Sequence, residues 1–150
     1  MAVLPRLRSK AFAPGEYRLM SKAPTGAAAA GPWPTELRLQ KDRKTLVVSF
    51  DDGQSFALPA EYLRVRSPSA EVQGHSPAER RTVAGKRDVM ILELHPVGNY
   101  AVRIVFDDTH STGIFSWDYL FELGHNRERY WHDYLDELAA KNLSRAPAAR

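Results

Sequence analysis

Two stretches of the chain share one pattern of apolar and polar positions. Residues 44–50 (KTLVVSF) and 100–106 (YAVRIVF) are rich in β-branched and aromatic residues, which is typical of strands. Phe-Asp-Asp recurs at 50–52 and 106–108, and Tyr-Leu recurs at 62–63 and 119–120, so the copies lie about 56 residues apart. The pattern predicts two related β-hairpin/short-helix units.

Additional strands are predicted beside both hairpins. Residues 35–40 (TELRLQ) alternate before the first hairpin, and residues 88–97 precede the second. Gly98-Asn99 favours a two-residue turn between 88–97 and 100–106, and both strands are apolar enough for central positions. Pro59 is expected in the first turn of a short helix. The inward-facing residues of that helix are Tyr62, Leu63 and Val65.

Two helices are predicted to follow the second unit. Ser116 is a good N-cap for the first, and Gly124 would end it in the left-handed conformation. Asn126 can cap the second helix, of about 16 residues. The fold class is therefore α+β: a mostly antiparallel β-sheet core built from two related units and closed by C-terminal helices. The apolar stripe expected to pack on the sheet is Trp131, Tyr134, Leu135 and Leu138.

Residues 1–33 are predicted to form a disordered basic N-terminal arm, since they hold several prolines and five basic residues against Glu16 alone. The folded domain is expected to span 34–142, with a long connection at 67–85, and 143–150 should be a frayed tail.

Composition excludes several classes of protein. The chain has 150 residues and no cysteine, which rules out disulfides and thiolate ligands. No apolar run is long enough to cross a bilayer, so no membrane association is expected. The expected location is the cytoplasm. Beyond the arm, 16 basic residues face 17 acidic ones, which argues against nucleic-acid binding.

A metal or small-ligand site is one interpretation of His75, His110 and Glu71, because imidazole and carboxylate groups suit zinc or iron(II). In the alternative, His110 and its neighbours cap the turn, the 67–71 loop satisfies its own backbone groups, and His75 lies on the surface. The two Asp-Asp pairs are interpreted as turn residues and not as catalytic carboxylates.

Three strings carry a family resemblance: LRVRSPSAEVQGH at 63–75, the repeated FDD(G/T)xxS, and FDDTHSTGIFSWDYL at 106–120. Together they resemble the DUF971 family, which is similar to the N-terminal domain of γ-butyrobetaine hydroxylase. That module holds a structural zinc through three cysteines and a histidine. The resemblance places His110 at the zinc histidine, with Ser67 and Ser69 near two of the cysteines; neutral hydroxyls are poor zinc ligands.

The resemblance implies a non-catalytic accessory or protein-interaction domain linked to iron–sulfur or metal metabolism. The expected partner is an iron–sulfur carrier ATPase or an oxygenase-type protein, and a homodimer is a further expectation. The alternative is a zinc- or iron-binding protein, or an accessory subunit of a 2-oxoglutarate/iron oxygenase-type system. No residue is predicted to be catalytic. No cofactor is predicted for the accessory domain, and zinc or iron is the cofactor of the alternative alone. The residues expected to shape the loop motifs are Ser67, Ser69, Asp107, Asp108, Ser111, Ser116 and Trp117.

Overall fold

Two antiparallel sheets and four helices make up the described part of the chain. The computed structural model describes residues 8–10, 17–20, 32–74 and 81–147. Within these ranges no helix combines the length and the apolar character that crossing a membrane requires. The strands are β1 (Arg8–Lys10), β2 (Tyr17–Met20), β3 (Pro34–Leu39), β4 (Thr45–Phe50), β5 (Ser55–Pro59), β6 (Ile91–Val97), β7 (Ala101–Phe106) and β8 (Ile114–Ser116). The helices are α1 (Ala60–Val65), α2 (Ala70–Gln73), α3 (Trp117–His125) and α4 (Arg127–Ala140).

The predicted repeat is present, and each copy contains three strands followed by a helix. The first sheet has the order β1-β2-β3-β4-β5 and the second has the order β6-β7-β8, with every neighbouring pair antiparallel. Strands β3-β4-β5 run into α1, and strands β6-β7-β8 run into α3. We call these the first and second units. The predicted α+β class, closed by C-terminal helices, is confirmed.

The first aspartate of each Phe-Asp-Asp triplet joins the ends of two strands in the same way. The Asp51 N–H donates to the carbonyl of Trp33 (2.8 Å), and its carboxylate accepts the Trp33 N–H (3.0 Å). Asp107 forms the same two bonds with Met90, at 2.9 and 3.0 Å. These carboxylates therefore complete the backbone ladder, as expected for turn residues.

The second aspartate of each triplet shapes the turn itself. Asp52 accepts the N–H of Gln54 (2.9 Å) and Asp108 accepts that of His110 (3.1 Å), both two residues ahead. The residue between them has a positive φ in both units: +89° at Gly53 and +74° at Thr109. Glycine adopts this conformation without cost, but a β-branched residue is strained there.

One hydrophobic core is shared by the two units. It is formed by the inner faces of the sheets, where apolar and polar positions alternate as predicted, and by the inner faces of α1 and α3. The fully buried side chains with the largest volumes are Tyr62, Phe106, Phe115, Leu37, Leu39, Leu46, Leu58, Leu63, Ile91, Ile104 and Leu120.

Helices α1 and α3 are joined by two reciprocal hydrogen bonds. The Tyr62 hydroxyl donates to the carbonyl of Leu123, near the end of α3 (2.7 Å), and the Tyr119 hydroxyl donates to the carbonyl of Arg66, just after α1. Tyr62 and Tyr119 occupy equivalent positions in the repeat. Burial raises the pKa of Tyr62, so its phenol remains a neutral donor. Each unit thus satisfies a carbonyl at the helix end of the other.

The ends of the chain differ from the prediction. The expected disordered arm is wrong for residues 8–10 and 17–20, which form β1 and β2 and extend the sheet from β3; the rest of 1–31 lies outside the described residues. The frayed tail is wrong for 143–147. There the carbonyls of Ser144 and Arg145 accept the N–H groups of Gly85 (2.9 Å) and Arg87 (3.0 Å).

Two predictions about strands and helix ends are also wrong. Strand β7 is central, but β6 is an edge strand of its three-stranded sheet, with Leu92 43% exposed. Gly124 does not end α3, which continues to His125. Instead a Cβ on Gly124 would lie 2.3 Å from the ring of Phe56, so this glycine permits close packing of α3 on β5.

Helix α4 begins where predicted and is 14 residues long, but Asn126 provides no side-chain cap. Its amide instead donates to the Glu122 carbonyl (3.0 Å). Within the stripe, Tyr134 and Leu138 are buried, whereas Leu135 is 38% exposed. Tyr134 and Leu138 pack against Val65 of α1 and the segment 83–84, instead of on a sheet as expected. Trp131 contacts both this cluster and the main core, where its ring lies 6.3 Å from that of Tyr62.

Replacing Tyr62 with phenylalanine should destabilise the fold by about 1–3 kcal/mol, because the Leu123 carbonyl would be left buried without its donor. Tyr119→Phe should have a smaller effect because Tyr119 is only half-buried. Urea denaturation measures both values. Tyr100→Phe is the matched control, since Tyr100 is 56% exposed; equal effects of Tyr62→Phe and Tyr100→Phe would contradict the role of the reciprocal bonds.

Candidate functional site

The polar motifs meet where the loop after α1 contacts the turn between β7 and β8. The loop comprises residues 67–69, placed between the end of α1 and the single turn of α2. The turn comprises residues 107–113, fixed by the two aspartates described above. The sequence therefore brings its two most distinctive strings into contact through the packing of one unit on the other.

Ser67 and His110 form the centre of this contact. The Ser67 hydroxyl lies 2.9 Å from Nε2 of His110, and the two residues are 0% and 5% exposed. A second hydroxyl pair, Ser69 Oγ and Thr112 Oγ1, is separated by 2.8 Å. The Gln73 side chain donates to the Ser67 carbonyl (3.0 Å), which ties α2 to the same cluster. The side-chain hydroxyls of Ser67, Ser69 and Thr112 and the His110 ring thus bond within the fold, as expected of buried polar groups.

Gly113 allows the two segments to approach this closely. A Cβ at position 113 would lie 2.4 Å from the Ser67 hydroxyl oxygen, well inside van der Waals contact. Its backbone carbonyl also accepts the Ile104 N–H (3.3 Å) within the second sheet. Sequence reasoning did not single out Gly113, and the one available signal was a glycine directly after a polar turn and before a strand.

Asp108 is the charged part of the site. Its carboxylate lies 2.8 Å from Arg64 Nε on α1 and 2.6 Å from Lys86 Nζ. Burial alone would raise the pKa of Asp108, but hydrogen bonds from Lys86 and Arg64 outweigh burial and hold that pKa below its ordinary value of 3.8. Asp108 therefore links α1 and the connection before β6 to the turn that carries His110.

Arg64 and Lys86 were not predicted as site residues. Lys86 directly follows the long connection, whose path the sequence does not predict, and Arg64 is an ordinary basic residue near a helix end. The two cations and Asp108 are all mostly buried, with side chains 12%, 25% and 17% exposed. This ion-pair cluster is thus part of the interface between units.

The remaining predicted loop residues have structural contacts. Ser116 caps α3 as expected, because its hydroxyl accepts the Tyr119 N–H (3.2 Å). The Trp117 indole donates to the Asn99 carbonyl (2.9 Å) and is 3% exposed. Ser111 contributes its carbonyl, which accepts a bond from Arg103 (3.1 Å).

Only part of the predicted metal set can be located. His110 is described, whereas His75 and the side chain of Glu71 lie outside the described residues. Among the residues that the structure does describe, no group of three or more His, Asp or Glu side chains could hold a metal ion. Ser67 and Ser69 offer neutral hydroxyls, so they do not fit a zinc site of the cysteine-rich type. The set of His75, His110 and Glu71 remains a prediction.

Comparison with protein families identifies the class of protein. Residues 37–121, more than half of the chain, match the family model described as γ-butyrobetaine hydroxylase-like, N-terminal. The chain therefore belongs to this family, as the resemblance indicated. No match was found among curated proteins.

Solved structures support the same assignment. Two NMR solution structures are 44% identical to the chain with TM-scores of 0.69, and they cover 79% and 83% of it and 94% and 93% of their own lengths. A crystal structure of a DUF971-family protein of unknown function from Acidithiobacillus ferrooxidans ATCC 23270 is 38% identical. Its TM-score is 0.51, and the match covers 61% of this chain and 91% of that one.

Asp108→Asn should lower stability by roughly 1–3 kcal/mol at pH 7, because Arg64 and Lys86 would lose their anionic partner. The folded pKa of Asp108 is lowered, so its contribution is fully present above about pH 5 and is lost as the pH falls through 3.8 and below. Urea denaturation between pH 7 and pH 3 should show the two proteins converging.

Asp52→Asn is the matched control without an ion pair, since in the described part of the chain the Asp52 carboxylate accepts only the N–H and the side-chain amide of Gln54. A difference between wild type and Asp108→Asn that stays constant down to pH 3 would contradict the ion-pair role.

Proposed function

We propose that this chain is a non-catalytic accessory domain that acts in the cytoplasm by binding a protein partner. The observation that supports this most is the use of its distinctive polar residues inside the fold. The Asp pairs close the hairpins, and Ser67 and His110 bond to each other in a buried position. A reacting group must reach its substrate, whereas Ser67 and His110 face the interior. Asp51, Asp52 and Asp107 are exposed, but their carboxylates already accept backbone N–H groups at the turns.

A partner surface is available on the second unit. Leu92, Tyr100 and Ile114 are 43%, 56% and 44% exposed, and they lie on β6, on the β6–β7 turn and on β8. Among the described residues of the first unit, no large apolar side chain is exposed to this degree. Exposed apolar side chains of this kind favour a binding role for the second sheet.

The partner that the family resemblance favours is an iron–sulfur carrier ATPase, which would connect the domain to iron–sulfur or metal metabolism. Self-association into a homodimer is the competing use of the same surface. Both uses would bury exposed apolar side chains, so they depend on the same residues.

Affinity capture with the purified iron–sulfur carrier ATPase of the same organism tests the proposal. Wild type should be retained, and the double variant Tyr100→Asp/Ile114→Asp should bind at least about 10-fold more weakly, because a charge would be placed in a dehydrated contact. Leu135→Asp on α4 is the matched control and should bind normally. Unchanged binding of the double variant would reject this surface, and a monomeric wild type with no affinity for the ATPase would reject this partner. Substrate turnover by the isolated chain, abolished by changing one polar side chain, would reject the non-catalytic role.

Metal binding is the second candidate function. It is favoured by the contact between the 67–69 loop and His110, because α2, which carries Glu71, begins directly after that loop. In this proposal zinc or iron(II) would bind His75, His110 and Glu71, a donor set that both metals accept.

Elemental analysis of untagged protein, followed by zinc titration, separates the two candidates. A metal protein should contain close to one equivalent, lost in His110→Ala and retained in His95→Ala, whose side chain is 43% exposed. A content below about 0.1 equivalent in wild type would reject a tight site.

A further inference from the structure

The C-terminal segment 143–147, which we call the strap, is held across α1 by one arginine. Arg145 forms a bidentate ion pair with Glu61, with Nε–Oε2 and Nη2–Oε1 distances of 2.8 and 2.7 Å. Its guanidinium carbon also lies 5.0 Å from the centroid of the Trp131 ring. Parallel bonds to a carboxylate and contact with an aromatic face are the features by which proteins recognise arginine in particular.

Glu61 requires a cation at this position. Its side chain is only 6% exposed, and an ionised carboxylate that is buried without a partner is strongly unfavourable. Arg145, in contrast, is 39% exposed. Its guanidinium is therefore accessible to solvent, whereas the Glu61 carboxylate lies buried beneath it. The arrangement is that of a receptor and a bound side chain.

The strap itself has few other attachments. Two of its carbonyls accept bonds from the N–H groups of Gly85 and Arg87, and the Leu143 N–H donates to the Leu138 carbonyl (2.8 Å). The Leu143 side chain remains 41% exposed. Little apolar surface therefore holds the strap down. Its removal would expose the Glu61 carboxylate and two backbone N–H donors together.

A cavity adjoins the ion pair. It has a volume of about 570 Å³ and is open to additional groups beside the guanidinium. Neither the strap nor α4 belongs to the region matched by the family model, which ends at residue 121. The residues that line the cavity are Pro59, Glu61, Tyr62, Arg127, Glu128, Trp131 and Arg145.

We propose that Glu61, Trp131 and this cavity form a binding site for an arginine side chain on an extended protein segment, and that Arg145 occupies the site until such a segment displaces the strap. The partner segment would pair with the backbone at 85–87 and place its arginine on Glu61. This inference rests on the proposed interaction function and assigns it a second surface, separate from Tyr100 and Ile114.

Fluorescence anisotropy with a labelled KNLSRAP peptide, which copies residues 141–147, tests the proposal on the full-length chain. Arg145→Ala should bind the peptide, and wild type should bind at least about 10-fold more weakly, because its own strap competes for the site. The peptide with alanine in place of its arginine should not bind. Glu61→Gln in the Arg145→Ala background should lose at least about 10-fold in affinity.

Equal binding to wild type and Arg145→Ala, or binding that is unaffected by Glu61→Gln, would overturn the proposal. If circular dichroism shows Arg145→Ala to be unfolded, Arg145→Lys replaces it, since lysine keeps the charge but cannot form the two parallel bonds. Failure of both variants to fold would make the strap an obligatory part of the structure and would also overturn the proposal. Capture of the ATPase through Tyr100 and Ile114 is measured separately, so failure here is distinguishable from failure of the proposed function.

Discussion

Two tyrosine hydroxyls, each bound to the carbonyl at the end of the opposite helix, fix the orientation of the two units. Every other contact between the units depends on that orientation. Arg64 and Ser67 belong to α1 and the loop after it, whereas Asp108 and His110 belong to the second unit. A small rotation between the units would separate both pairs and leave buried polar groups unsatisfied.

The repeat explains why residues of types common in catalytic and metal sites stabilise the fold here. Asp52 and Asp108 make the same turn bond. Among the described residues only Asp108 also has cationic neighbours, namely Arg64 from the first unit and Lys86 from the connection before β6. The equivalent turns therefore have different consequences: the first closes a hairpin, and the second also connects the units. Ser67 and His110 belong to the same connection, since their side chains bond to each other across the two units.

Local signals account for what the sequence predicted correctly. Strand alternation, the aspartate turns and the Ser116 cap depend on residues within a few positions of each other, so the pattern along the chain was sufficient. Contacts between distant residues were not predictable in this way. Glu61 and Arg145 are 84 positions apart, and nothing in either neighbourhood indicates that they meet.

Other failures have their own physical reasons. Strands β1 and β2 are three and four residues long, and they are defined by pairing, β2 with β3 and β1 with β2, and not by a pattern of their own. Gly124 was interpreted as a helix terminator because glycine usually has that role, but here the missing side chain makes room for Phe56. For the site, sequence identified His110, Ser67 and Asp108 but missed their cationic and glycine neighbours.

The left-handed backbone of Thr109 bears on the order in which the molecule assembles. The first hairpin has glycine at this position and can close with local contacts alone. The second hairpin must overcome the strain at Thr109, and the ion pair that stabilises its turn needs Arg64, which is in place only after α1 has formed. The N-terminal unit should therefore fold first and act as the template for the C-terminal unit. The two units also leave the ribosome in this order.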